Sequence, residues 1–270
     1  MSGTGRSHDA RMSRALEGEV AIVTGAGRKG GIGAAICLAL AREGANLLFT
    51  SWQPYDRPAS SVGRDRASEE LTSELRRVGA QVERLEIDLS RDDAPGQVIR
   101  RAAAAFNVAT ILVNNACHSE RDSIETFNAP LLDRSYRVNV RAPVLLGVEF
   151  VRAFGGRGAR RIISLTSGQL QAPMRGELAY AVTKAAIDAF TITFAAEVGH
   201  LGITVNAVDP GPTDTGWMDD QTRSALRERF ALGRLGLPTD AANLVAFLAR
   251  PEADWITGQV IRSNGGFGFQ

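Results

Sequence analysis

Three side chains within one stretch of this 270-residue chain have the types and spacing to move a proton at an oxygen atom. Positions 164–184 read SLTSGQLQAPMRGELAYAVTK, which sets the hydroxyl of Ser167 ahead of the phenol of Tyr180, with the ammonium of Lys184 four positions further on. If the part after Glu177 is helical, as its apolar pattern suggests, the i, i+4 spacing puts Tyr180 and Lys184 on one face. A tyrosine ionises near pH ~10, and bringing that to about 7 takes roughly 4 kcal/mol of preferential stabilisation of the phenolate. A cation beside it in a partly desolvated site can supply much of this. The predicted chemistry is general acid/base transfer by Tyr180, with Ser167 donating a hydrogen bond to the same oxygen. Tyr-x-x-x-Lys alone is common in helices, so the weight of the reading comes from the rest of the chain.

Something must bring a reacting partner to that pair. Positions 19–24 (EVAIVT) are a short apolar run followed by the glycine-rich GAGRKGGIG of Gly25 to Gly33, and 32–42 has helical periodicity closed by Gly44. Strand, glycine turn and helix in that order form the context of a phosphate-binding turn: the backbone can approach a pyrophosphate, and the free N–H groups at the helix start favour its charge. Further strands are predicted over 46–50, 81–87, 110–113, 161–166, 203–208 and 258–261, and helices over 67–78, 92–106, 131–154, 178–200 and 240–249. Val-, Ile- and Leu-rich strands separated by helices predict one doubly wound α/β domain of Rossmann type, a seven-stranded parallel sheet with helices on both faces, over 19–270. Two segments break the rhythm. The polar stretch 51–66 is long for a βα connection, and 210–237, with a short helix expected over 221–230, is a candidate substrate lid or a surface excursion.

Composition narrows the functional classes. The chain is 44% hydrophobic and 23% charged with net charge +1, so it carries no broad electrostatic footprint for nucleic acid or an anionic membrane. No apolar run of the length of a membrane span is evident. Cys37 and Cys117 stand far apart and the three histidines are scattered, which builds neither a disulfide framework nor a metal site and fits a reducing cytoplasm. The first eighteen residues are polar and basic and read as a disordered tail. Asn114-Asn115-Ala116 stands at the end of the fourth strand, and Asn139 is a polar insert within an apolar helix that needs buried partners.

With these residues assembled, the chain resembles a classical short-chain dehydrogenase/reductase over roughly 18–265. Thr24-Gly25 with Gly31-Ile32-Gly33 corresponds to the family's glycine motif, Asn114-Asn115-Ala116 to its strand-four motif, Asn139, Ser167, Tyr180 and Lys184 to its catalytic tetrad, and Pro210-Gly211 with Thr213 and Thr215 to the segment that closes on the nicotinamide. The resemblance implies that Tyr180 exchanges the proton, that Lys184 lowers its pKa and holds the nicotinamide ribose, and that Asn139 positions a relay water. Asp88 and Leu89 match the residues that meet the adenine. The chain departs from the pattern in a glycine turn lengthened by Arg28-Lys29-Gly30 and in Cys117, which replaces the usual glycine; Cys117 and His118 either line the substrate mouth or are incidental.

Relatives of this type that use NAD generally end the second strand with an Asp, whereas this chain has Thr50-Ser51-Trp52, with Arg28 and Lys29 in the glycine turn. Hydroxyls and cations suit a 2′-phosphate, so NADP(H) is expected over NAD(H). The chain is most similar to bacterial 3-oxoacyl-[acyl-carrier-protein] reductase-like proteins, which implies a ketone or 3-oxoacyl thioester substrate. The alternatives are a small sugar, polyol or secondary-metabolite alcohol, or a non-catalytic NADP-binding sensor. Arg134, Arg137 and Arg141 form a stripe that either receives an acidic carrier protein or is a solvated helix side. Gln169, Gln171, Met174, Glu177, Trp217 and Met218 are candidates for the substrate wall beside Cys117. The family's use of helices 131–154 and 178–200 as interfaces implies a homotetramer.

Overall fold

The computed structural model describes residues 14–56, 66–156, 158–216 and 218–268. Strands β1 (Val20–Val23), β2 (Asn46–Ser51), β3 (Val82–Glu86), β4 (Ile111–Asn114), β5 (Arg160–Leu165), β6 (Ile203–Asp209) and β7 (Val260–Arg262) form one parallel sheet of seven, in the order β3-β2-β1-β4-β5-β6-β7. Helices α1 (Ile32–Arg42), the short α2 (Gln53–Asp56), α3 (Arg66–Arg77), α4 (Ala94–Phe106), α5 (Ala129–Tyr136), α6 (Ala142–Phe154), α7 (Leu178–Val198), α8 (Asp220–Arg227) and α9 (Pro238–Ala249) lie between and beside them.

Every residue of β1 and β4 is buried, because both faces of the sheet are covered and both sets of alternating side chains must be apolar. Ala21 and Val23 face one core, with Ile36 and Leu40 of α1 and Val245 and Leu248 of α9. Val20 and Ile22 face the other, with Val98 of α4 and Leu146 and Phe150 of α6. The chain runs outward through β2 and β3 and returns to β4 on the far side of β1. Sheet order therefore reverses at the carboxyl ends of β1 and β4, and a ligand crevice opens at that point.

Several expectations change in detail. Residues 14–18, placed with the tail in the sequence, belong to the fold: Leu16 is 1% exposed within the first core and its N–H donates to Glu43 O at 2.9 Å. Residues 1–13 lie outside the described residues, as do 57–65 of the long segment after β2; its first part forms α2. The single helix expected over 131–154 is interrupted by a wider π-type turn, Arg137–Arg141, in which Ala142 N–H reaches back to Arg137 O. Pro143 is the cause, since it has no N–H to give to the Asn139 carbonyl and its ring would clash there. Together with the 3₁₀ turn that follows it, α7 spans Leu178–Leu201, and this helix is long and apolar enough to cross a membrane, contrary to expectation. Here it packs against β6, α5 and the π turn and buries Lys184 and Asp188.

Candidate active site

A cleft of about 1210 Å³ opens at the switch point, bordered by the loops after β1, β2, β3, β4, β5 and β6. Its floor is the glycine turn. Gly25 has φ +71°, and a Cβ there would come within 2.6 Å of Ala116 Cα; one on Gly33 would come within 2.5 Å of Gly25 O. Only hydrogen fits at these contacts, so the backbones of the β1 and β4 loops lie directly against each other. Thr24 and Asn115 fasten them: Asn115 Nδ2 donates to Thr24 O and Gly25 O, each at 2.9 Å, while Asn115 N and Ala116 N donate to Thr24 Oγ1 at 3.0 and 3.1 Å. Gly31 precedes α1 with no side chain capping its first N–H groups, and Gly31, Ile32 and Gly33 line the cleft.

These features fit a dinucleotide. Uncapped N–H groups at the start of α1 suit a pyrophosphate. At the end of β2, Ser51 Oγ is buried without a hydrogen-bond partner among the described residues and lines the cleft, as a hydroxyl waiting on a ribose substituent would. Arg28, Asp88, Leu89, Pro210, Gly211, Thr213 and Thr215 also line it. Lys29 does not: its ammonium pairs with Glu70 on α3 at 2.8 Å, drawn outward by a carboxylate distant in sequence. The ribose end also holds an acid, Asp56, whose Oδ2 would stand 2.2 Å from a Cβ on Gly27.

On the opposite wall, Tyr180 and Ser167 line the cleft, near enough for the Ser167 hydroxyl to favour the ionised phenol. Tyr180 sits in the first turn of α7, and that turn is held from across the molecule. Asp122, buried in the loop after β4, accepts from Leu178 N at 2.8 Å and Ala179 N at 2.9 Å. A carboxylate against the first N–H groups of a helix satisfies them and complements the dipole. No local pattern around Asp122 announces this role, because its partners lie more than fifty positions away.

Lys184 and Asn139 lie behind the wall rather than on it. Lys184 Nζ donates to Leu165 O at 2.8 Å, lies 5.6 Å from the centroid of the Tyr180 ring and neighbours the Cys117 thiol. Sequence predicted that this cation lowers the Tyr180 pKa. In the structure the phenol is instead held well above its ordinary value, chiefly by burial, with Cys117, Glu177 and Asp209 adding to the shift and Ser167 opposing it. Burial likewise raises the Cys117 thiol against the pull of Lys184. Asn139 is 1% exposed. Its amide brackets His118, accepting from His118 N at 2.7 Å and donating to His118 O at 2.8 Å, and also donates to Thr183 Oγ1 at 3.0 Å. Because residue 143 is proline, the Asn139 main-chain carbonyl loses its helical donor. The motif Asn-x-x-x-Pro is a sequence signal for a carbonyl without its helical donor.

Of the substrate candidates, Cys117, Met174, Gln171 and Glu177 line the cleft. Gln169 does not: it donates to Asp188 Oδ2 at 2.5 Å beneath the β5 loop, satisfying a buried carboxyl that burial raises. Met218 is buried, and Trp217 lies outside the described residues. Two arginines of the stripe are already paired, Arg134 with Glu120 and Arg141 with Asp92, which leaves little free charge for a carrier protein.

A doubly wound sheet with a phosphate cradle at the switch point and a Ser–Tyr pair facing it defines a dinucleotide-dependent oxidoreductase. The family model described as Enoyl-(Acyl carrier protein) reductase matches residues 25–268. "Uncharacterized oxidoreductase YjdA" of Bacillus subtilis is 46% identical over 95% of this chain and 99% of its own. A short-chain dehydrogenase/reductase from Serratia marcescens superposes with TM-score 0.84 at 34% identity, covering 94% of this chain and 99% of that one. A short chain dehydrogenase from Burkholderia cenocepacia in complex with NADP does so with TM-score 0.84 at 32% identity over 93% and 98%. The chain belongs to the short-chain dehydrogenase/reductase family and is an oxidoreductase.

Proposed function

We propose that this enzyme uses NADP(H) to interconvert a ketone and a secondary alcohol. The observation that carries the reading is the placement of Ser167 and Tyr180 together on the wall of the cleft whose floor is the glycine cradle. The nicotinamide supplies or takes up the hydride. Ser167 orients the substrate oxygen, and Tyr180 gives that oxygen its proton as negative charge develops. Lys184 buttresses Tyr180 from beneath its ring, and the carbonyl of Asn139 is the group that holds a water on the proton path. Cys117, Met174 and Gln171 border the substrate.

Arg28 and Ser51 support a 2′-phosphate, and the acid Asp56 at the same corner is the group that opposes it. Apolar Leu178, Val182 and Ile192 lie exposed on α7 beside Tyr136 of α5, which supports pairing of copies through these helices and the homotetramer. Two free cysteines support a reducing cytoplasm. The segment 210–237, anchored by the Thr213–Gly236 bridge, serves in this reading as the substrate lid.

The test is NADPH oxidation, followed by absorbance, with acetoacetyl thioesters and with small ketones and sugars, for wild type and Tyr180→Phe. Turnover of any ketone that falls at least a hundredfold in the variant, with NADPH binding retained, supports the reading; undiminished turnover refutes it. Preference for the thioesters selects the 3-oxoacyl substrate.

A further inference from the structure

Sheet order places β1 between β2 and β4, so any segment joining the end of β2 to the loop after β4 must pass over the glycine turn. Residues 52–56 do so. At the near end, Trp52 N donates to Asp56 Oδ2 and Gln53 Nε2 to Glu86 Oε2, each at 3.0 Å. At the crossing, Asp56 lies against Gly27. At the far end, Tyr55 Oη accepts from Ser119 N at 3.0 Å, and its ring lies 5.4 Å from that of His118, tilted by 41°.

The two ends differ in stiffness. His118 is a fixed post: Asn139 holds its N–H and carbonyl, and its Nε2 meets Glu120 Oε1 at 2.6 Å, while Arg134 grips the same carboxylate through both oxygens. The segment that reaches it is a single short turn whose two aromatic side chains, Trp52 and Tyr55, are 38% and 42% exposed. Both line the cleft, as do Asp56, His118 and Ser119. Among the described residues, one neutral hydrogen bond and one aromatic contact join Tyr55 to the β4 loop, a latch weak enough to open repeatedly.

We propose that residues 52–56 are a clamp on the dinucleotide: Tyr55, latched to Ser119 and packed against His118, closes over the phosphate seat and limits the rate at which the bound cofactor leaves. The proposal rests on the dinucleotide reading above and adds Tyr55 and His118 to the residues that hold the cofactor. The clamp must swing away from the β4 loop for exchange. Both anchors lie within the protein, so removing the latch weakens retention without removing any group of the phosphate seat itself.

The test is stopped-flow displacement of NADPH, read by its fluorescence, for wild type, Tyr55→Phe and Tyr55→Ala, with thermal melting as the check on folding. Loss of the hydroxyl alone is expected to speed release about fivefold, and loss of the ring as well about thirtyfold, with association changed less than twofold. Tyr55→Phe keeps the ring and the fold, so it remains informative even if the alanine variant melts early. Release unchanged in Tyr55→Phe overturns the clamp. So does equal acceleration of association and release, which would make the turn an obstruction instead. If wild type binds neither NADPH nor NADH, the cofactor reading fails and the clamp with it, whereas binding with unaltered release sinks the clamp alone.

Discussion

Replacing Asp122 should loosen α7 at the turn that carries Tyr180. Its carboxylate accepts two main-chain N–H groups, at 2.8 and 2.9 Å, from a position only 7% exposed. Hydrogen bonds to a charged acceptor contribute about 1.5–3 kcal/mol each, and the charge at a helix start adds roughly 0.3–1 kcal/mol. The two bonds share one acceptor group and water can reach part of the freed backbone, so Asp122→Ala should cost about 3 kcal/mol in all. For a chain of this size that corresponds to a fall in melting temperature of roughly 6–12 °C. Asp122→Asn keeps one acceptor oxygen and should lose about half as much. Because Tyr180 sits in the freed turn, kcat should fall further than stability alone explains, by about tenfold at a temperature where the variant is fully folded. Calorimetry and steady-state kinetics on the two variants test this. An alanine variant melting within 1 °C of wild type, or a normal kcat, would refute the claim that the β4 loop positions the catalytic helix.

Three further outcomes follow from the geometry. Arg28→Ala should weaken NADPH about tenfold in a fluorescence titration and leave NADH nearly unchanged, whereas Lys29→Ala should alter neither by as much as twofold, because Glu70 already holds that ammonium. Gly25→Ala, with φ +71° and Ala116 Cα at 2.6 Å from the new Cβ, should abolish NADPH binding by titration and lower the melting temperature by several degrees. Asp240 is held below the usual carboxylate range, first by Arg234 and then by Leu237 N–H, so the stability it contributes is fully present above the unfolded value near ~3.9 and is lost as pH falls through the lower folded value. The melting difference between wild type and Asp240→Asn should therefore be constant above pH ~5 and shrink below ~4.

Local patterns carried much of the outcome. Periodicity and glycine placement are properties of neighbouring residues, and they foretold the alternating strands and helices, the turn at Gly25 to Gly33 and the helix bearing Tyr180 and Lys184. The types Ser167 and Tyr180 marked them as candidates for proton transfer, and folding brings both to the cleft wall. The break in the helix around Asn139 was missed: apolar periodicity predicted one helix over 131–154, although Pro143 lacks the N–H that a continuous helix needs there.

Tertiary structure decided where each side chain directs its charge. Spacing selects the face of a helix or loop on which a residue lies, but not its partner among residues distant in sequence. Lys29 turns to Glu70, Gln169 to Asp188, and Lys184 to the Leu165 carbonyl and the Cys117 thiol. Burial, which belongs to the whole assembly, moves the Tyr180 phenol upward where a neighbouring cation alone argued for a fall. Asp122 beneath α7 and Tyr55 across the glycine turn acquire their positions only when the β2, β4 and α7 segments meet at one end of the sheet. Short-range order follows from the chain's own stereochemistry, whereas electrostatics in a desolvated cleft depend on which distant groups folding brings within a few ångströms.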